Sequence, residues 1–181
     1  MRNSIKIVKM PLIFTCLLLF LLYFSPYAVA NSKDDDANSV SQDISIFYLV
    51  RHAEKQAGSN PHLSIAGKAR AKRLADLLSD TKIEQIYSTS YNRTLQTSAP
   101  LAAKLGLNTQ DYSPTHLSDF ASALLEMPQT SLIVGHSNTT PELVKKLGGN
   151  PISKISEKEF NRLYILTVHK GKVIHTQLLR Y

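Results

Sequence analysis

Ile44-Ser45-Ile46-Phe47-Tyr48-Leu49-Val50-Arg51-His52-Ala53-Glu54-Lys55 is the stretch that decides how the rest of the chain is read. Ile44 to Val50 is short, mostly apolar and rich in β-branched and aromatic residues, which predicts a strand buried inside a sheet. The strand runs straight into Arg51-His52, so an apolar element ends on two side chains capable of chemistry. In open α/β sheets, ligands bind just beyond the carboxyl ends of the strands.

The same pattern recurs downstream. Ser131 to Val134 is a compact apolar strand ending on Gly135-His136, followed by Ser137-Asn138-Thr139. Ile83 to Tyr87 is another short strand, and Ser88-Thr89-Ser90-Tyr91-Asn92-Arg93-Thr94 runs from its end into a helix start. Helices are expected between the strands. One covers 64–79, with Ser64 as N-cap, Ala69, Leu74, Leu77 and Leu78 on the apolar face, and Lys68, Arg70, Lys72 and Arg73 mostly opposite. A second covers 91–105, with Leu95, Ala99, Ala102 and Leu105 on one side and Gly106 at its end. A third lies around 115–126, and a fourth has Pro141 in its first turn and stops at Gly148-Gly149. Residues 107–114 leave room for a short strand. Arg162–Val168 and Val173–Leu179 about a Lys170-Gly171 turn read as a β-hairpin. This alternation predicts an α/β fold: a three-layer αβα sandwich whose mostly parallel central sheet is closed by a C-terminal antiparallel hairpin.

The chain has 181 residues. Its start carries Arg2, Lys6 and Lys9, then an apolar run from Leu12 to Phe24, then Ser25-Pro26 and the small-residue pattern Ala28-Val29-Ala30. That order predicts a secretory signal peptide over 1–30, cleaved after Ala30, and a periplasmic or secreted protein with no stable membrane insertion once the signal is removed. An uncleaved anchor is the alternative, although the run is short for a span of about 20 residues. Residues 31–42 are polar and aperiodic, a flexible leader, and the folded domain is expected over 43–181. Without Arg2, Lys6 and Lys9 the 21 basic residues fall to 18 against 14 acidic, a net charge of +4. A mild excess of this kind suits a small anionic substrate better than nucleic acid. The basic residues at 68, 70, 72 and 73 read as a solvated helix face, since no aromatic residues are interleaved for base stacking. The one cysteine, Cys16, leaves with the signal, which removes disulfides and thiolate metal sites.

Two histidines and two arginines, His52, His136, Arg51 and Arg93, are thus expected to converge at one sheet edge. The combination suits phosphoryl transfer. A neutral imidazole can attack phosphorus and carry a covalent intermediate. Guanidinium groups offer forked donors to phosphoryl oxygens. A helix N-terminus beside Arg93 adds backbone N–H groups. Metal binding is the weaker alternative, because no short-spaced histidine pair occurs and the arginines repel a cation. His62, His116, His169 and His175 read as structural or surface residues.

Arg51-His52-Ala53-Glu54, the Tyr-Ser-x-x-x-x-Arg-Thr-x-x-Thr pattern from Tyr87 to Thr97, Gly135-His136, and Leu63-Ser64-Ile65-Ala66-Gly67-Lys68-Ala69-Arg70-Ala71 together resemble the histidine phosphatase superfamily, which includes phosphoglycerate mutases and many phosphatases. The resemblance covers roughly 44 to 180 and implies a phosphatase acting on a phosphate monoester or phosphoramidate, with no cofactor and no metal. By the same resemblance His52 is the nucleophile, Arg51 and Arg93 hold the phosphoryl oxygens, and His136 is the second histidine. Asn138 is expected to help line the substrate pocket. His52 then needs a backbone carbonyl on Nδ1 so that Nε2 presents its lone pair.

Two departures bear on the chemistry. Ser137 stands where some family members place an Asp, and no sizeable insertion supplies a carboxylate for the leaving group. Glu54, Asp111, Asp119 and Glu126 remain as proton donors, with Glu54 closest in sequence to His52; pairing with Lys55 or another base is its alternative role. The compact build is similar to small phosphohistidine phosphatases of the superfamily. A mutase of the same fold and a non-catalytic phospho-ligand binding protein of the cell envelope are the rival functions.

Overall fold

A computed structural model describes residues 44–126 and 129–181; the expected signal at 1–30 and leader at 31–42 lie outside the described residues. The elements are β1 (Ile44–Arg51), α1 (Ile65–Leu78), β2 (Gln85–Ser88), α2 (Asn92–Leu105), β3 (Thr109–Asp111), α3 (Leu117–Glu126), β4 (Ser131–Gly135), α4 (Thr139–Lys146), β5 (Arg162–His169) and β6 (Lys172–Arg180). They form a six-stranded sheet in the order β3-β2-β4-β1-β5-β6. The first four strands in that order are mutually parallel, and β5 and β6 run antiparallel at the far edge. Among the described residues, none of the helices is long and apolar enough to cross a membrane.

Alternate residues along the central strands feed two cores. Phe47, Leu49 and Ile133 pack with Leu117, Ala121, Leu124, Leu143 and Val144, which puts α3 and α4 on one face. Tyr48, Val50, Ile86, Leu132 and Val134 pack with Leu74, Ala75, Leu78 and Leu101, which puts α1 and α2 on the other. Both faces of β1 and β4 are therefore covered, which explains why their sequences read as unbroken apolar runs.

This order places β4 between β1 and β2 and brings the three polar clusters to adjacent strand ends. Arg51 pairs with Gly135 across β1 and β4, and Ser88 pairs with Val134 across β2 and β4. The chain leaves β1 for α1 on one face and returns to β4 from α3 on the other, so the crevice expected where the winding changes face opens at these ends.

Helix faces depart from the sequence expectation. In α1 the N-cap is Ser64, whose Oγ accepts from Gly67 N, as expected. The buried stripe, however, is Gly67, Ala71, Leu74, Ala75 and Leu78, while Ala69 is exposed and Leu77 is 49% exposed. Gly67 sets this rotation: a Cβ there would lie 2.0 Å from Glu54 O, so this glycine must face the turn after β1. In α2 the buried residues are Thr94, Thr97, Ser98 and Leu101, whereas Leu95 and Ala99 are exposed. The inward face is polar because it serves loop backbone: Ala53 N donates to Thr97 Oγ1, and Thr94 Oγ1 donates to Thr89 O. Gly106 ends α2 in the left-handed region, at φ 66°, as the sequence predicts. Ile83 lies just before β2 rather than in it, but is buried in the core all the same.

Candidate active site

His52 follows β1 directly and is 3% exposed. Its backbone N donates to Gly135 O at 2.9 Å, which locks the turn against the end of β4. Its Nδ1 lies 2.8 Å from Ala53 O. A carbonyl only accepts, so Nδ1 carries the proton and Nε2 holds a free lone pair. Burial first, then the charges of Arg51 and the neighbouring groups, push its pKa down to about 4. At neutral pH this imidazole is uncharged.

His136 follows β4 and is also pushed down to about 4, by burial and then by the charges of Arg93 and Arg51. Its ring centroid lies 5.7 Å from that of His52, edge to face. Arg93 Nη2 donates toward His136 Nδ1 at 3.4 Å, and His136 Nε2 lies 3.0 Å from Thr89 Oγ1. Since a guanidinium only donates, Nδ1 accepts and Nε2 carries the proton. From there the chain of hydroxyls runs through Thr89 to Thr94. Gly135 makes the approach possible: a Cβ there would meet Tyr112 Oη at 2.8 Å and Thr140 Oγ1 at 2.9 Å.

Arg51 is 2% exposed and stacks 4.2 Å over Phe160. Its Nη1 donates to Ser156 O and Glu159 O, and its Nη2 to Glu157 Oε2 at 3.0 Å. A guanidinium has five N–H donors; these three bonds leave Nε–H and one hydrogen on Nη2. Arg51 Nε and Arg93 Nε are both buried without a partner. Two orphaned cationic donors beside two neutral imidazoles make a seat for a tetrahedral anion. These groups line one cavity of about 410 Å³, together with Lys55, Tyr91, Thr115, Ser137, Asn138 and Glu157.

His52, His136, Arg51, Arg93 and Asn138, expected to converge from the sequence, all line that cavity. Glu54 does not, and this corrects the sequence expectation. Arg70 Nε and Nη2 donate to its carboxylate at 2.7 to 3.0 Å, and Ser64 N donates to its main-chain oxygen. The Glu54 side chain thus braces α1, and Arg70 turns inward instead of lying on the solvated face with Lys68, Lys72 and Arg73. Asp111, Asp119 and Glu126 are also off the cavity lining. The carboxylate on it is Glu157, in the loop between α4 and β5, which sequence reasoning missed. Ser137 Oγ donates to Glu157 Oε1 at 2.8 Å. That bond first, then the Arg51 charge, hold the Glu157 carboxyl below the usual carboxylate range. Among the described residues, no three His, Cys, Asp or Glu side chains cluster as a metal site would require.

A sequence model of the histidine phosphatase superfamily (branch 1) matches residues 47–114, a span that holds Arg51, His52 and Arg93. No curated protein matches the chain in sequence. Solved structures share the fold. The protein histidine phosphatase SixA complexed with tungstate is 19% identical with a TM-score of 0.60, over 75% of this chain and 96% of that one. A mycobacterial glucosyl-3-phosphoglycerate phosphatase is 12% identical with a TM-score of 0.58, over 76% of this chain and 98% of that one. Phosphoserine phosphatase from Entamoeba histolytica in complex with 3-phosphoglyceric acid is 14% identical with a TM-score of 0.53, over 74% of this chain and 94% of that one.

Proposed function

We propose that this chain is a histidine phosphatase superfamily member that hydrolyses a phosphate monoester or phosphoramidate through a phosphohistidine on His52. The observation that carries the reading is the pairing of a buried, neutral His52, its Nδ1 fixed on Ala53 O, with the orphaned donors of Arg51 and Arg93 in one cavity. His52 Nε2 attacks phosphorus, the bond to the leaving oxygen or nitrogen breaks, and the leaving group takes a proton from solvent water. Water then attacks phosphorus, the P–N bond to His52 breaks, and inorganic phosphate departs. Arg51 and Arg93 hold the equatorial oxygens through both steps. As Arg93 swings from His136 Nδ1 to the anion, that nitrogen becomes free to take a proton and donate to phosphoryl oxygen. Asn138 lines the leaving-group side.

Glu157 supplies the carboxylate that Glu54 does not. Being ionised in the free protein, it is suited to accept a proton from the water that attacks the phosphohistidine. The likenesses to phosphatases, protein-directed and small-molecule alike, support the reaction class and leave the substrate open. We further propose that the domain works outside the cytoplasm, cut from its signal after Ala30, on a small anionic substrate and without a metal. The basic start, apolar run and Ala28-Val29-Ala30 pattern support export. Turnover of an aryl phosphate by the purified domain, insensitive to chelator, tests the function; a His52→Ala variant with full turnover overturns it.

A further inference from the structure

Resting on that phosphatase reading, we infer that a second cavity beside the first is the leaving-group subsite, and that the substrate is a phosphorylated compound with an apolar body and a second anionic group. The second cavity, about 520 Å³, shares Ser137, Asn138 and Glu157 with the first, so the two form one continuous groove. Its far part is lined by Pro141, Ile152 and Ile155, with Lys145 and Lys154 among them.

Ile152 is the feature that plain folding does not account for. It sits at φ 66°, a left-handed conformation that a β-branched residue adopts only as an outlier. It is nevertheless 64% exposed, so burial of its side chain does not compensate the strain. The surrounding structure enforces it. Ile152 N donates to Asn150 Oδ1 at 2.9 Å, and the buried Tyr164 hydroxyl donates to Pro151 O at 3.0 Å. The buried Arg162 donates to Ser153 O and Ser153 Oγ, both at 3.0 Å. Strain that persists because neighbouring groups over-determine it is characteristic of ligand-contacting positions. Here the effect is to hold an isoleucine side chain out on a groove continuous with the catalytic pocket.

The charges define the rest of the ligand. Of the acids on this groove, Glu157 is engaged with Arg51 and Ser137, and Glu142 with Lys146 at 3.5 Å. Lys145 and Lys154 form no salt bridge among the described residues, which leaves two cations for a carboxylate or second phosphate on the leaving group.

The test is calorimetric binding of a homologous series to the folded domain: methylphosphonate, straight alkylphosphonates, and the same chains ending in a carboxylate. The expected result is affinity that rises about twofold per methylene, since a groove wall buries only part of each. At one chain length the terminal carboxylate adds about fivefold more. Ile152→Gly abolishes the gain with chain length while the melting temperature holds or rises, because glycine carries no strain there. The double variant Lys145→Ala/Lys154→Ala abolishes the carboxylate gain and leaves methylphosphonate binding unchanged. Long and carboxylated ligands binding no better than methylphosphonate overturn the subsite alone. Absence of His52-dependent hydrolysis, with the same binding profile intact, overturns the phosphatase reading and leaves the subsite standing.

Discussion

The imidazoles of His52 and His136 face each other edge to face, 5.7 Å between centroids, at the ends of neighbouring parallel strands. Both are neutral in the folded protein, with two guanidiniums beside them. Burial accounts for most of this, and the arginine charges add to it in the same direction. The relationship has consequences for stability, for catalysis and for the division of labour among the carboxylates.

Stability should depend on these imidazoles in a defined pH window. Above the ordinary histidine value of 6.5 both folded and unfolded chains hold them neutral. Between 6.5 and about 4 the unfolded chain takes up protons that the folded site refuses, so stability falls as pH falls. Below about 4 this contribution levels off. Glu159, pulled down to about 2 by Arg162 and Arg180, adds its own loss as pH falls from the ordinary carboxylate value of 4.5 toward about 2. Denaturant titrations across pH 4 to 7 should show the slope in the native protein and a flatter profile in His52→Asn/His136→Asn. Parallel profiles would contradict the buried neutral pair.

Glu54 should be a structural residue. Glu54→Gln weakens the clamp from Arg70, which is about four-fifths buried, and should cost about 1–3 kcal/mol in urea unfolding. Below the melting point, turnover of an aryl phosphate should stay within about twofold of the native protein, since no proton transfer is lost. Gly67→Ala, forcing a Cβ to 2.0 Å from Glu54 O, should cost about 1–3 kcal/mol and be felt at the site through the displaced β1–α1 turn.

Glu157 should act on the second half of the reaction. In Glu157→Gln the initial burst of released aryl alcohol should survive, while steady-state turnover falls by about 10²-fold as the phosphoenzyme waits for activated water. A variant that loses burst and steady state together would assign Glu157 to bracing Arg51 instead.

His136 should change protonation when the site fills. NMR titration of its ring with vanadate present should show a pKa raised well above the value of about 4 in the free protein, because Arg93 then turns to the anion. An unchanged titration would mean that Arg93 keeps its bond to Nδ1.

What the sequence revealed and what it hid follow from range. Apolar runs stopping on Arg51-His52 and Gly135-His136 are local signals, and they located both histidines and the sheet edge. Arg93 was legible because it opens a helix directly after a strand. Helix rotation was not, because it is set by Gly67 meeting Glu54 O and by threonine hydroxyls of α2 bonding loop backbone, both tertiary contacts. Proximity in sequence misled at Glu54, whose side chain turns toward α1 rather than the cavity. Glu157 carried no local signal at all: it lies in an aperiodic loop, and its importance comes from Arg51, 106 positions away, and Ser137, 20 positions away.

The most direct test of the account is chemical trapping of the intermediate. Brief exposure of the domain to a labelled aryl phosphate, followed by denaturing quench, should leave one phosphoryl group per chain that is labile in acid and stable in alkali. Mapping should place it on the peptide containing His52, and it should be absent from His52→Ala. Label on an acid-stable ester, label on another residue, or turnover with no trapped phosphohistidine in either the native protein or Glu157→Gln would contradict it.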